Sequence, residues 1–91
     1  MSSESLISVI MSVHNGESSI KKSIESITSQ TYKEIEILIM DDGSTDNSFQ
    51  FLEESLKSDE RIRLYKNDTN IGLTKSLNIL IKESKGKFIA R

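Results

Sequence analysis

Short apolar runs alternate along this chain with stretches in which apolar residues recur at helical spacing, and that alternation leaves few folds open. Leu6 to Val13 carries Ile7, Val9, Ile10, Met11 and Val13 as a near-continuous run, the pattern of a strand covered on both faces. His14-Asn15-Gly16 breaks it. From Glu17 to about Ser29 the period changes: Ile20, Ile24 and Ile27 share one helical face, with Lys21, Lys22 and Glu25 off it. Gln30 to Lys33 reads as a loop, and Ile35 to Met40 as the second and most strongly patterned strand. Phe49, Leu52 and Leu56 form a second helical stripe, Ile62 to Lys66 a short third strand, and Leu73, Leu77, Leu80 and Ile81 a third helical face. Gly86 stands where a helix C-terminal glycine is expected, and Lys87 to Arg91 opens a fourth strand as the sequence stops.

Strand, helix and strand in strict alternation predict βαβ units, and hence an α/β fold with a mainly parallel sheet of three to four strands between two helical layers. The crossovers should be right-handed. With 91 residues the chain is one domain at most, and a strand that opens with no helix to cover it leads us to expect a longer parent protein. The 13 Ile and 8 Leu are enough to build the core of such a unit.

Composition removes several classes of function. The formal net charge is −2, which argues against a nucleic-acid binder, since phosphates call for a basic patch. The absence of Cys excludes a disulfide scaffold, a zinc-thiolate site and a thiol nucleophile. No apolar run approaches the ~20 residues that span a bilayer, and no basic n-region opens the sequence. A soluble, cytoplasmic chain is the expectation.

In an open parallel sheet, ligands bind beyond the carboxyl ends of the strands. Polar residues gather at all three such ends: Ser12 to Glu17, Asp41 to Ser44, and Asn67 to Gly72. Asp41-Asp42 is the sharpest feature. Adjacent residues at a strand tip point to opposite sides, so one carboxylate can face the crevice while the other braces the loop. A carboxylate there can accept from a nucleobase N–H or a ribose hydroxyl. The competing reading is turn formation and capping, for which Ser44 and Asp46 are suited, and spacing alone leaves both open. His14, the only His, is either a plain loop residue or a flat surface for a planar base. Asn15-Gly16 suits a turn with positive φ. Glu17 reads first as a favourable charge at a helix start. Asn70-Ile71-Gly72 leads into a helix whose N–H groups suit an anion, with Lys75 in the first turn as either a phosphate contact or a solvated surface lysine.

The order of these features resembles the N-terminal nucleotide-binding half of the family 2 inverting glycosyltransferases, a Rossmann-like part of the GT-A fold. Ile7 to Glu17 is similar to the family's opening strand and its Pro-Val-Tyr-Asn-type ending. Ser29-Gln30-Thr31-Tyr32 matches the Ser-Gln-Thr-Tyr signature, and Asp41-Asp42-Gly43-Ser44-Thr45-Asp46 the Asp-Asp-Gly-Ser-Thr-Asp signature. Asn70-Ile71-Gly72-Leu73 with Asn78 matches the Asn-x-Gly-Leu segment, and Gly86 to Arg91 the lead-in to an Asp-x-Asp. The resemblance implies that Asp42 hydrogen-bonds the nucleobase, usually uracil. It implies that Ser12 contacts base or ribose, that His14 packs against the base, and that Val13, Asn15, Glu17 and Asp41 line the same crevice. Lys75 is implied as a further nucleotide contact.

Two departures stand out: Ser12 replaces the usual Pro, loosening the backbone, and His14 replaces the usual Tyr, weakening the aromatic packing. The Asp-x-Asp that holds a divalent metal, Mn or Mg, and the carboxylate that acts as general base are not in this sequence. The resemblance therefore implies no catalytic residue, metal ligand or cofactor within residues 1–91, and a metal in the full-length parent, at the cytoplasmic face of the membrane. The expected partner is a nucleotide-sugar donor, probed most simply as UDP. The expected parent reaction is sugar transfer to a glycan, lipid or protein acceptor. A stand-alone nucleotide-binding module is the alternative, and self-association through an exposed sheet edge is expected of a truncated sheet. An oxidoreductase half is disfavoured because only Gly16 stands where a glycine-rich fingerprint belongs. A phospho-acceptor domain is disfavoured because the acidic pair follows the second strand.

Overall fold

Four strands hydrogen-bond into one parallel sheet in the order β3-β2-β1-β4. The elements run β1 (Ile7–Val13), α1 (Ile20–Thr28), β2 (Ile35–Asp42), α2 (Ser48–Ser58), β3 (Ile62–Asn67), α3 (Leu73–Glu83) and β4 (Phe88–Ala90). This computed structural model describes residues 6–29, 34–86 and 88–90, the last three through their backbone alone. The loop expected at Gln30 to Lys33 lies outside the described residues.

β2 is the central element, and all eight of its residues are buried. It pairs with β1 from Ile7↔Ile35 to Val13↔Asp41, and with β3 from Ile37↔Ile62 to Asp42↔Asn67. Side chains alternate between the two faces of a strand. Ile35, Ile37 and Ile39 therefore join Val13, Ile20, Ile24, Leu52 and Ile62 in a core beneath α1 and α2. Leu38 and Met40 join Ile10, Leu77 and Leu80 beneath α3. Ile37, Leu38 and Ile39 are fully buried, each contributing about 2 kcal/mol of transfer free energy. The helices thus flank the sheet in the expected three-layer α-β-α arrangement.

The direction of winding reverses at β1. The chain steps outward through α1 and α2 to β3, then returns through α3 on the other face to pair β4 with β1. A reversal of this kind opens a crevice at the strand tips.

The expected positive-φ turn after β1 is present, on Asn15 (51°). Three expectations are corrected. β2 continues through Asp41 and Asp42, beyond the end at Met40 read from the sequence. Gly86 is not a helix cap, because α3 ends at Glu83 and Ser84 caps it in an extended conformation. A Cβ on Gly86 would stand 2.5 Å from the Ser8 hydroxyl, so this glycine permits the α3–β4 connection to cross β1 closely. Finally, Leu56, Leu73 and Ile81 are exposed, so the apolar stripes of α2 and α3 are narrower than their spacing suggested. Among the described residues, no helix is long and apolar enough to cross a membrane.

Candidate functional site

Three segments meet at the carboxyl ends of β1 and β2: the β1–α1 turn, the β2–α2 loop and the β3–α3 loop. Asp42 joins them. Its Oδ1 accepts from the Ile71 N–H (2.8 Å) and the Asn67 amide (3.0 Å). Its Oδ2 accepts from the Gly72 N–H (3.0 Å) and the Asn70 amide (3.2 Å). A carboxylate has about four acceptor positions, and four donors occupy them. Burial disfavours the charged form of Asp42, but the hydrogen bonds led by Ile71 and Asn67 outweigh it and hold its pKa below the usual carboxylate range. The N–H groups just ahead of α3, read from sequence as an anion site, thus face the protein's own carboxylate.

The other loops close around the same point. The His14 Nδ1 lies 2.9 Å from the Asp42 carbonyl oxygen. The Asn15 N–H donates to the Ser44 hydroxyl (2.9 Å), and the Thr45 N–H donates to Asn15 Oδ1 (2.8 Å). Asp46 accepts from the Ser48 N–H and hydroxyl and from the Glu17 N–H, and these bonds, the Ser48 hydroxyl first, lower its pKa. Gly43, at φ 68°, lets the β2–α2 loop lie against the β3–α3 loop: a Cβ there would stand 2.4 Å from the Asn70 nitrogen. A shallow cavity of about 300 Å³ opens beside the end of β1, lined by Met11, Ser12, Val13, His14 and Gly16 with the start of α1.

Asp41 is different. By the alternation along β2 its side chain lies on the α1/α2 face, in register with Val13 and Lys66. It is fully buried, and neither carboxylate oxygen has a hydrogen-bond partner. Among the described residues, no group of three or more acidic or His side chains is placed to hold a metal ion.

A match to the family described as Glycosyl transferase family 2 runs over residues 8–91. The chain belongs to this family. A glycosyltransferase of Haemophilus influenzae, itself uncharacterised, is 45% identical over 86 residues, covering 94% of this chain and 27% of the relative. The Escherichia coli UDP-Glc:alpha-D-GlcNAc-diphosphoundecaprenol beta-1,3-glucosyltransferase WfaP is 39% identical over 85 residues, covering 93% of this chain and 33% of the enzyme. The chain thus spans about a third or less of these relatives' lengths. Among solved structures, residues 1–349 of Staphylococcus aureus TarS superpose with a TM-score of 0.83 at 29% identity, over 91% of this chain and 25% of that one. TarS has also been solved in complex with UDP. The mannosyltransferase PcManGT of Pyrobaculum calidifontis, solved with GDP-Man and Mn2+, shares the fold at a TM-score of 0.85 and 20% identity, over 91% of this chain and 25% of that one. The fold is that of the GT-A glycosyltransferases.

Within this family 2 glycosyltransferase domain, His14 and Asn15 meet Asp42 in one hydrogen-bonded cluster at the strand tips, whereas Ser12 and Val13 line the cavity beside the end of β1, with the Val13 side chain packed in the α1/α2 core. Glu17 reaches the cluster only through its backbone N–H. Lys75 is exposed in the first turn of α3, and Asp41 faces the opposite side of β2 from Asp42. Asn67 and Asn70 belong to the cluster, although the sequence reading did not include them among the site residues. The signal was available, since both stand at the end of β3, where the same strand-tip rule applies.

Proposed function

We propose that this chain is the nucleotide-binding part of a glycosyltransferase that takes a sugar from a UDP-sugar donor and passes it to a glycan, lipid or protein acceptor. Family membership supports the transferase class, and the TarS complex with UDP supports the nucleotide. The observation that carries the site is the convergence of His14, Asp42 and Asn70 on one rim. We place the ligand there and not in the larger groove of about 580 Å³ between α1 and α2. The rim gathers oriented donors and acceptors, whereas the floor of that groove is the apolar Ile20, Ile24 and Ile62, with Phe51 and charged side chains at its edges.

The chemistry of the rim favours uracil. Asp42 is full, and the Asn70 amide is the most distant of its four donors, at 3.2 Å, and belongs to an exposed side chain. A base imino N–H takes that place on Asp42, and the displaced Asn70 amide donates to the neighbouring base carbonyl. Uracil presents such a donor flanked by acceptors. His14 offers its flat exposed face beside them. The metal implied for the parent would neutralise the leaving diphosphate, and its ligands belong to segments other than the described residues.

Calorimetric titration of the chain with UDP tests this reading. Binding that falls roughly tenfold in Asn70→Ala, the scale of one lost hydrogen bond, is expected. Equal binding of UDP by wild type and Asn70→Ala, or none by a folded wild type, contradicts it. Purified chain is expected to show no sugar transfer.

A further inference from the structure

We propose that His14 is a positioning residue for the nucleotide rim, held as the neutral tautomer with its proton on Nδ1, and that Asn15 sets that tautomer. Two separate parts of the hydrogen-bond network require it. On one side, Nδ1 lies 2.9 Å from the Asp42 carbonyl oxygen. A carbonyl only accepts, so the proton is on Nδ1. On the other side, the Thr45 and Asp46 N–H groups both point at Asn15 Oδ1, at 2.8 and 3.3 Å. Only the amide oxygen can receive two N–H groups, and this fixes which way the amide is turned. Its Nδ2 then faces His14 Nε2, at 3.4 Å. Nδ2 only donates, so Nε2 carries the lone pair. The two arguments start from different hydrogen bonds and give the same proton position.

The result is a relay that crosses the rim. It runs from the Thr45 and Asp46 N–H groups through the Asn15 amide and the imidazole to the carbonyl at the tip of β2. Asn15 is itself held in place, with its backbone at φ 51° and its N–H donating to Ser44. The ring plane of His14 is therefore set before any ligand arrives. A phenyl ring at this position has no in-plane donor and acceptor and cannot complete the relay. The long contact between Asn15 and Nε2 leaves that lone pair only weakly engaged, and it is the one acceptor that His14 presents to a ligand.

The binding half of this inference rests on the nucleotide reading above, whereas the tautomer is a property of the free chain. Nitrogen-15 NMR of the imidazole reads the tautomer directly. The Nδ1–H pattern is expected in the wild type. In Asn15→Asp the side chain still accepts from Thr45 and Asp46 but turns an oxygen toward Nε2, so Nε2 should gain a proton while Nδ1 keeps the one it donates to the Asp42 carbonyl, and the pattern should change to that of a ring protonated on both nitrogens. UDP affinity should fall roughly tenfold in Asn15→Asp and in His14→Gln, as for one lost hydrogen bond. His14→Asn, whose amide N–H can occupy the Nδ1 position and donate to the Asp42 carbonyl, should recover most of the affinity that His14→Gln loses. An Nε2–H pattern in the wild type overturns the proposal, and so does His14→Asn binding as poorly as His14→Gln. If the Nδ1–H pattern is present and the folded wild type does not bind UDP, the nucleotide reading fails and the tautomer assignment stands.

Discussion

Toward α3, β2 presents Glu36, Leu38, Met40 and Asp42; toward α1 and α2 it presents Ile35, Ile37, Ile39 and Asp41. On the α3 side both carboxylates are fully engaged, and they hold the two ends of one helix. Asp42 receives the N–H groups that lead into α3. Glu36 receives the Lys85 and Gly86 N–H groups that leave it, together with the Ser8 hydroxyl and Arg63. Burial opposes the charge on Glu36, but these hydrogen bonds, Ser8 first, hold its pKa low. On the other side the helices rest on an apolar layer, and Asp41 is buried with both oxygens unpartnered. One strand thus carries acidic groups that build the fold and one that the fold leaves unsatisfied. A buried polar group without a partner is costly, and natural chains keep few of them.

The sharpest way to break this contrast is to remove Asp42. Asp42→Ala leaves two backbone N–H groups and two amides without their acceptor, and should lower unfolding free energy by about 3 kcal/mol in urea titration. A loss under 1 kcal/mol would mean that the β3–α3 loop holds itself. Gly43→Ala comes next, at about 2 kcal/mol, because its Cβ meets the Asn70 backbone at a positive φ. Asp41→Asn works in the opposite direction: replacing a buried carboxyl group that has no hydrogen-bond partner should raise stability by about 1 kcal/mol. A destabilised Asp41→Asn would show that Asp41 has a partner in solution.

The smallest effect is the pH dependence. Glu36 and Asp42 have folded pKa values below their unfolded ones. Their contribution is complete above the ordinary carboxylate pKa of about 4 and fades as pH falls from there through the lowered folded values. Thermal melts from pH 7 to pH 3 should fall in that window, less steeply in Glu36→Gln.

Much of this was legible in the sequence. The strand cores and the Ile20, Ile24 and Leu52 faces follow from period alone, because burial on a sheet or helix face is a local pattern. What the sequence did not yield depends on distant partners. β2 looked as if it ended at Met40 because two adjacent carboxylates rarely sit in a buried strand, and Asp42 is tolerated there by donors 25 to 30 residues away. Gly86 looked like a helix cap because its constraint comes from Ser8, at the other end of the chain. Leu73 looked like core because spacing does not reveal that the first residue of α3 is 61% exposed. At the site, the meeting of strand tips was legible, but the engagement of Asp42 by Asn67 and Asn70 was not.

The central claim is that the tips of β1 and β2 and the β3–α3 loop form one nucleotide-binding rim. Backbone amide shifts recorded during UDP titration test it most directly. The account predicts that His14, Asn15, Gly43, Asn70 and Ile71 move together with one binding isotherm while Ile24 and Ser55, beside the α1/α2 groove, stay still. Shifts concentrated at that groove, with His14 and Asn70 unmoved, would contradict it.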